Sequence, residues 1–150
     1  MANSGAKTIV GLRLVICIIP AVIVGFLYEL YLGHRHDYTG HYAAGYGGTL
    51  AATLVWLKSL SPERFKRFGV MSIGPMCVAC VLLGAFTEAT IFRIAKFDEI
   101  DFFNQSLGAV LAAIVAFAHT GAVKPPDAAF DNGLIMGIVF LSIGACYAVA

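Results

Sequence analysis

The side chains in this sequence that could take part in chemistry are few, and most of them fall in two short stretches. Imidazole and carboxylate groups exchange protons and accept hydrogen bonds, whereas guanidinium groups donate hydrogen bonds to anions. The first stretch contains His34, Arg35, His36, Asp37 and His41, and the second contains Glu88, Arg93, Asp98, Glu99, Asp101 and Asn104. The two stretches are therefore candidate halves of one site.

Within the first stretch, Asp37 and His41 are four residues apart, a spacing that places both on one face of a helix. A carboxylate beside an imidazole favours the protonated ring and orients it. We therefore take His41 as a candidate general base and Glu88 as a candidate second acid or base. No Ser or Cys nucleophile stands beside them in sequence, and a G-x-S-x-G motif is absent.

Metal binding is a further possibility for the first stretch, because zinc takes imidazole nitrogen and carboxylate oxygen as ligands. The candidate ligands are His34, His36 and His41, although an H-x-H spacing in a loop is unspecific. Cys77 and Cys80 form a C-x-x-C inside an apolar run without a second pair, which is typical of buried thiols. We expect no cofactor.

Glu88 lies within a long apolar segment, where an ionised side chain costs about 2.5–3.5 kcal/mol at the membrane centre and less near the edge. We expect such a group to face other helices and to pair, with Arg93 or His41 as its partner. Arg13, Glu29 and His119 lie near the ends of apolar segments, and we expect them to reach out to the membrane interface.

The composition indicates the elements that position these residues. Of the 150 residues, 59% are hydrophobic and only 13% are charged, whereas about a quarter of a soluble domain is charged. The mean hydropathy is +0.83. Apolar runs of about 20 residues predict membrane-spanning helices. We predict an all-α, multi-pass transmembrane helix bundle, a single transmembrane domain with five spans at residues 9–32, 40–57, 68–94, 102–120 and 133–150.

The distribution of basic residues orients this bundle, because cytoplasmic loops carry an excess of Lys and Arg. One side has Lys7, Lys58, Arg64, Lys66, Arg67 and Lys124, and the other has Arg35, Arg93 and Lys96. We therefore expect the N-terminus in the cytoplasm, the C-terminus outside, and both polar stretches at the outer face. The net charge of +1 provides no basic field for nucleic acid.

Small residues recur at four-residue spacing, as at Gly40, Ala44, Gly48 and Ala52. Such stripes allow membrane helices to approach closely. We expect them to pack the bundle internally, and homo- or hetero-oligomers in the membrane are the alternative.

The two polar stretches resemble the signatures of the VanZ-like family of integral membrane proteins. The first signature, an Asp, a His four residues later and a Tyr in the same helix, is similar to Asp37, His41 and Tyr46. In the second, a Thr-Glu closes one span, an Arg follows, and Asp, Asn and Gly open the next. The corresponding residues are Thr87, Glu88, Arg93, Asp101, Asn104 and Gly108, with Gln105 in the slot that the family gives to Asn.

This resemblance implies a core of four spans plus a C-terminal span, in the inner membrane of a bacterium. It implies a cell-envelope protein, since the family's namesake is associated with resistance to the glycopeptide teicoplanin. We expect a site for a membrane lipid or a lipid-linked envelope precursor, formed by Asp37, His41, Glu88, Arg93, Asp101 and Asn104. The alternatives are a structural subunit of a membrane complex, an intramembrane enzyme, and a metal or proton transporter.

Overall fold

The chain forms five helices in the computed structural model, which describes residues 2–32, 35–90, 98–120, 124–125 and 127–148. No strand occurs in these ranges, so the predicted all-α class is confirmed for them. The helices are α1 (Ala2–Leu32), α2 (His36–Ser59), α3 (Pro62–Thr90), α4 (Glu99–Thr120) and α5 (Asp127–Ala148). Each predicted span falls on one helix, and positions 91–94 and 149–150 lie outside the described residues.

Four of these helices, namely α1, α3, α4 and α5, are long and apolar enough to cross a membrane. Their outer faces carry large exposed side chains such as Ile19, Phe26, Leu82, Phe86 and Phe117. Exposing such a surface to water would cost free energy, whereas in a membrane these side chains contact the hydrocarbon chains of the lipids.

Helix α2 is less apolar in sequence than the other four, yet it is the central helix of the bundle. It packs most extensively against α4 and α5 and also contacts α1 and α3. Tyr42, Tyr46, Leu50, Leu54 and Leu57 on this helix are almost completely buried. Because α2 faces other helices rather than lipid, glycine, threonine and tyrosine are acceptable where an outer helix would need large apolar residues.

Glycines allow α2 to approach its neighbours at backbone distance. A side chain at Gly108 of α4 would overlap the main-chain oxygen of Tyr42, and one at Gly144 of α5 would overlap the backbone of Ala44. A side chain at Gly47 of α2 would likewise overlap the backbone of α5. The predicted small-residue packing therefore occurs inside the bundle.

The basic end of the bundle, where α2 ends and α5 begins, is held by polar contacts. The Lys124 ammonium donates to the main-chain oxygens of Lys58 (3.0 Å) and Leu60 (2.7 Å) at the C-terminus of α2. Lys58 in turn forms an ion pair with Asp131. A cation at a helix C-terminus satisfies carbonyl groups that have no partner within the helix.

His119 is completely buried at this end, so the expectation that it reaches the interface is wrong. Its Nδ1 lies 3.4 Å from the Cys17 sulfur and 3.4 Å from the Arg13 main-chain oxygen. The Arg13 guanidinium also turns inward and donates to the main-chain oxygen of His119. The physical reason is that α1 and α4 pack here, so each side chain finds a partner on the neighbouring helix rather than at the surface.

Candidate functional site

Three ionisable side chains from three helices meet at the other end of the bundle. His41 lies near the start of α2, Glu88 near the end of α3 and Asp101 near the start of α4. Their side chains are 16%, 11% and 17% exposed, respectively. His41 Nε2 is 3.5 Å from Glu88 Oε1, and His41 Nδ1 is 3.5 Å from Asp101 Oδ1. We call these three residues the acid–histidine cluster.

A main-chain carbonyl orients the His41 ring. The Nδ1 atom lies 2.9 Å from the main-chain oxygen of Asp37, and because a carbonyl only accepts, Nδ1 carries the proton. This bond also explains why the buried Asp101 Oδ1 has no hydrogen-bond partner among the described residues. Nε2 then faces the Glu88 carboxylate at 3.5 Å.

The Asp37 carboxylate itself turns away from His41, so the expectation that it orients the ring is wrong. Asp37 Oδ1 accepts from Arg35 Nε at 3.2 Å and Oδ2 from Arg35 Nη2 at 3.0 Å. This bidentate bond lowers the pKa of Asp37 and raises that of Arg35, both of which precede the predicted span 40–57. The Arg35 guanidinium also lies 3.9 Å above the centre of the Tyr38 ring.

A groove begins one helical turn deeper than the acid–histidine cluster. Gly45, Gly84 and Gln105 line it, and each is four residues from His41, Glu88 and Asp101, respectively. Its volume is about 280 Å³. The remaining wall is mostly small or apolar, and consists of Ala44, Gly48, Thr49, Ala52, Cys80, Leu83, Thr87, Ala109 and Leu141. We call this space the cluster groove.

The structure separates Asn104 from the acid–histidine cluster. Asn104 is buried and accepts a hydrogen bond from the Tyr28 hydroxyl at 2.8 Å, so it faces α1 rather than His41. Arg93 lies outside the described residues. The cluster therefore brings together His41, Glu88 and Asp101, with Asp37 contributing its main-chain oxygen.

The candidate metal ligands do not meet in the described part of the chain. His36 Nδ1 lies 3.2 Å from a carboxylate oxygen of Glu29, whereas His41 faces Glu88 and Asp101. His34 lies outside the described residues. Elsewhere in the described ranges, too, no group of three or more His, Cys, Asp or Glu side chains is placed to hold a metal ion.

Gln105 at the site and Glu29 outside it have roles that the sequence did not predict. Gln105 packs between Gly45 and Gly84 beneath the cluster. Its spacing from Gly108 was the feature of the sequence that could have predicted this role. Glu29, expected at the membrane interface, accepts a hydrogen bond from the Thr39 hydroxyl at 3.0 Å and so ties α1 to α2.

The chemistry of the acid–histidine cluster is that of an acceptor-rich, partly buried site. Two carboxylates and one imidazole favour a proton, an ammonium group or hydroxyl groups as their partner. Within the described residues, no Ser, Thr or Cys side chain hydrogen-bonds to His41.

Comparison of the chain with protein-family models, with curated proteins and with solved structures found no match.

Proposed function

We propose that this chain is a VanZ-like, five-span protein of the bacterial inner membrane that binds a membrane lipid or lipid-linked envelope precursor. The headgroup would contact the acid–histidine cluster and one acyl chain would lie in the cluster groove. The observation that carries this proposal is the position of the groove, which begins one turn deeper than His41, Glu88 and Asp101. A polar site above an apolar groove matches the two parts of a lipid.

In this proposal α2 also spans the membrane, in addition to the four apolar helices. It lies among those helices and is of similar length. The basic end of the bundle, with Lys58 and Lys124, then faces the cytoplasm. The acid–histidine cluster lies at the outer face, at the depth of the lipid headgroups. Glycopeptide resistance or a response to envelope stress is the physiological role that the VanZ-like motifs suggest.

The charges of the cluster narrow the class of headgroup. Glu88 and Asp101 offer acceptor oxygens, and Asp101 Oδ1 has no donor among the described residues. An ammonium group or the hydroxyls of a sugar supply such donors. A headgroup without N–H or O–H donors would leave Asp101 Oδ1 without a donor, which costs about 1–3 kcal/mol for a buried group.

Lipid binding to the purified protein in detergent, measured by native mass spectrometry, tests the proposal. Phosphatidylethanolamine and phosphatidylcholine are a matched pair that differs in the N–H donors of the headgroup. We expect about tenfold tighter binding of the ethanolamine lipid, which corresponds to about 1.4 kcal/mol. The variant Glu88→Gln/Asp101→Asn should remove that preference. A diglucosyl diacylglycerol replaces the ammonium group by sugar hydroxyls and should bind the wild type tightly as well.

A groove-filling variant tests the acyl-chain part separately. A Cβ atom at Gly48 meets only the Leu141 side chain, at 3.7 Å, so Gly48→Leu adds a side chain to the wall of the cluster groove without a Cβ clash against a backbone. We expect it to weaken binding of the ethanolamine lipid by at least tenfold, a loss of about 1.4 kcal/mol. Gly11→Leu, at an open position of α1, is the control. Equal binding by Gly48→Leu and wild type would refute the assignment of the groove.

A proton transporter is the second candidate, because an imidazole nitrogen, His41 Nε2, and a carboxylate oxygen, Glu88 Oε1, lie 3.5 Å apart at one end of the bundle. Vesicles that contain the protein and a pH-sensitive dye distinguish the two functions. A wild-type proton flux that His41→Gln abolishes would establish transport. Lipid selectivity without such a flux supports the binding function.

A further inference from the structure

A second cavity lies between the last turns of α1 and the first turns of α4, on the side of the bundle where Asn104 faces α1. Its volume is about 540 Å³. The wall is largely aromatic and apolar, and includes Leu27, Tyr28, Tyr31, Tyr38, Phe103 and Asn104. None of these residues belongs to the acid–histidine cluster or lines the cluster groove. We call this space the aromatic cavity.

The Asn104 amide lines this cavity and is buried, and it has a donor that is unused among the described residues. Asn104 is 4% exposed, and its Oδ1 accepts the hydrogen bond from the Tyr28 hydroxyl. Tyr28 is itself held in place by stacking on Tyr42, with ring centres 5.4 Å apart. The Nδ2 group has no partner among the described residues. A buried donor without an acceptor costs about 1–3 kcal/mol, so an acceptor from a ligand would recover that energy.

Arg35 adds further donors beside the cavity. Its guanidinium lies over the ring of Tyr38, which lines the cavity. Two of its N–H groups bond to Asp37, and a guanidinium has five, so three have no acceptor among the described residues and can donate to a ligand. The aromatic cavity therefore supplies donors, whereas the acid–histidine cluster supplies acceptors.

We propose that the aromatic cavity binds a diacyl phospholipid through an ester carbonyl, which accepts from Asn104 Nδ2, and through the phosphate, which accepts from Arg35. The apolar side chains of Leu27 and Phe103 contact the acyl chain. This site is distinct from the acid–histidine cluster and does not depend on it. It selects the phosphate and glycerol ester region of the lipid rather than an amine or sugar.

Two phospholipids that differ only at the ester carbonyls test this proposal. Diester and diether phosphatidylglycerol have the same headgroup and chains, but the diether lipid lacks the carbonyl acceptors. We expect the wild-type protein in detergent to bind the diester lipid about tenfold tighter by native mass spectrometry. Asn104→Leu should remove this preference, and Arg35→Gln should weaken both lipids to a similar extent. Equal affinity of the wild type for the two lipids would overturn the proposal.

Two further variants keep the test decisive. Ile100 lines the cavity and is largely exposed, so Ile100→Trp narrows the cavity without disturbing the core. If Asn104→Leu does not fold, Ile100→Trp decides: it should weaken the diester lipid at least tenfold, and unchanged binding contradicts the proposal. Gly48→Leu should keep the preference for the diester lipid. The proposal for the cluster groove and the proposal for the aromatic cavity can therefore be refuted independently.

Discussion

At the scale of single residues, the orientation of His41 decides the chemistry at the polar end of the bundle. The Asp37 main-chain oxygen holds the proton on Nδ1, and Nε2 faces Glu88. A main-chain oxygen remains an acceptor at every pH, so this orientation does not depend on the protonation of a neighbouring carboxylate. A headgroup donor would therefore compete with His41 Nε2 for the Glu88 carboxylate.

Removal of Glu88 should destabilise the folded protein, because His41 would lose a partner that is largely shielded from water. We expect Glu88→Ala to lower the free energy of unfolding by about 1–3 kcal/mol, and Glu88→Gln by less because the amide still accepts a hydrogen bond. The measurement is thermal unfolding in detergent. Glu99→Ala is the matched control, since Glu99 is exposed at the start of α4 and should change the free energy by less than about 1 kcal/mol. Equal losses for the two alanine variants would contradict a stabilising pair.

At the scale of elements, the bundle is organised around α2, which is less apolar than the four helices packed around it. The close approach of α2 to α4 and α5 depends on glycines at which a Cβ would overlap neighbouring backbone. Backbone contacts of this kind maximise van der Waals packing, which is a main source of helix association in lipid.

The glycine contacts predict opposite effects of one substitution at different positions. Gly108→Ala and Gly47→Ala each force two helices apart and should lower the free energy of unfolding by about 1–3 kcal/mol. Gly74→Ala in α3 meets nothing within 4 Å. Because alanine has the higher helix propensity, that variant should be unchanged or more stable by up to about 1 kcal/mol. Unfolding in detergent checks all three, and a stable Gly108→Ala variant would contradict the close α2–α4 contact.

At the scale of the whole molecule, the two ends of the bundle differ in charge and in chemistry. The end near Lys58 and Lys124 is basic, and the end near His41, Glu88 and Asp101 is rich in carboxylates. The apolar sides of α1, α3, α4 and α5 separate these ends. In the proposed orientation, the basic end faces the anionic cytoplasmic leaflet and the acidic end faces outward.

Cysteine labelling tests this orientation. Cys146 is exposed near the end of α5, whereas Cys17 is buried and Cys77 and Cys80 lie within α3. We expect a membrane-impermeant maleimide to label Cys146 in intact cells. In a Cys146→Ser/Ser61→Cys variant, labelling should require permeabilised cells, because Ser61 lies at the basic end. The reverse pattern would show that the protein is inserted the other way round.

The sequence by itself determined the helical class, the position of the helices and the need for Glu88 to find a partner. Long apolar runs have one stable form in lipid, because every backbone group must be satisfied within its own helix. An ionisable group in such a run must pair with something, and His41, one of the two partners that the sequence predicts, lies opposite Glu88. The acids at helix starts follow from an equally local rule, because the helix dipole favours anions there.

Only the tertiary structure decided which faces of the helices meet. Successive residues on a helix are rotated by about 100°, so Asp101 and Gln105 share a face while Asn104 points elsewhere. The sequence predicts which residues share a face, but it does not predict which neighbouring helix each face contacts. The helix packing placed α2 at the centre, directed Asn104 to Tyr28 and buried His119. These outcomes depend on contacts between residues far apart in the chain, which periodicity along one helix does not specify.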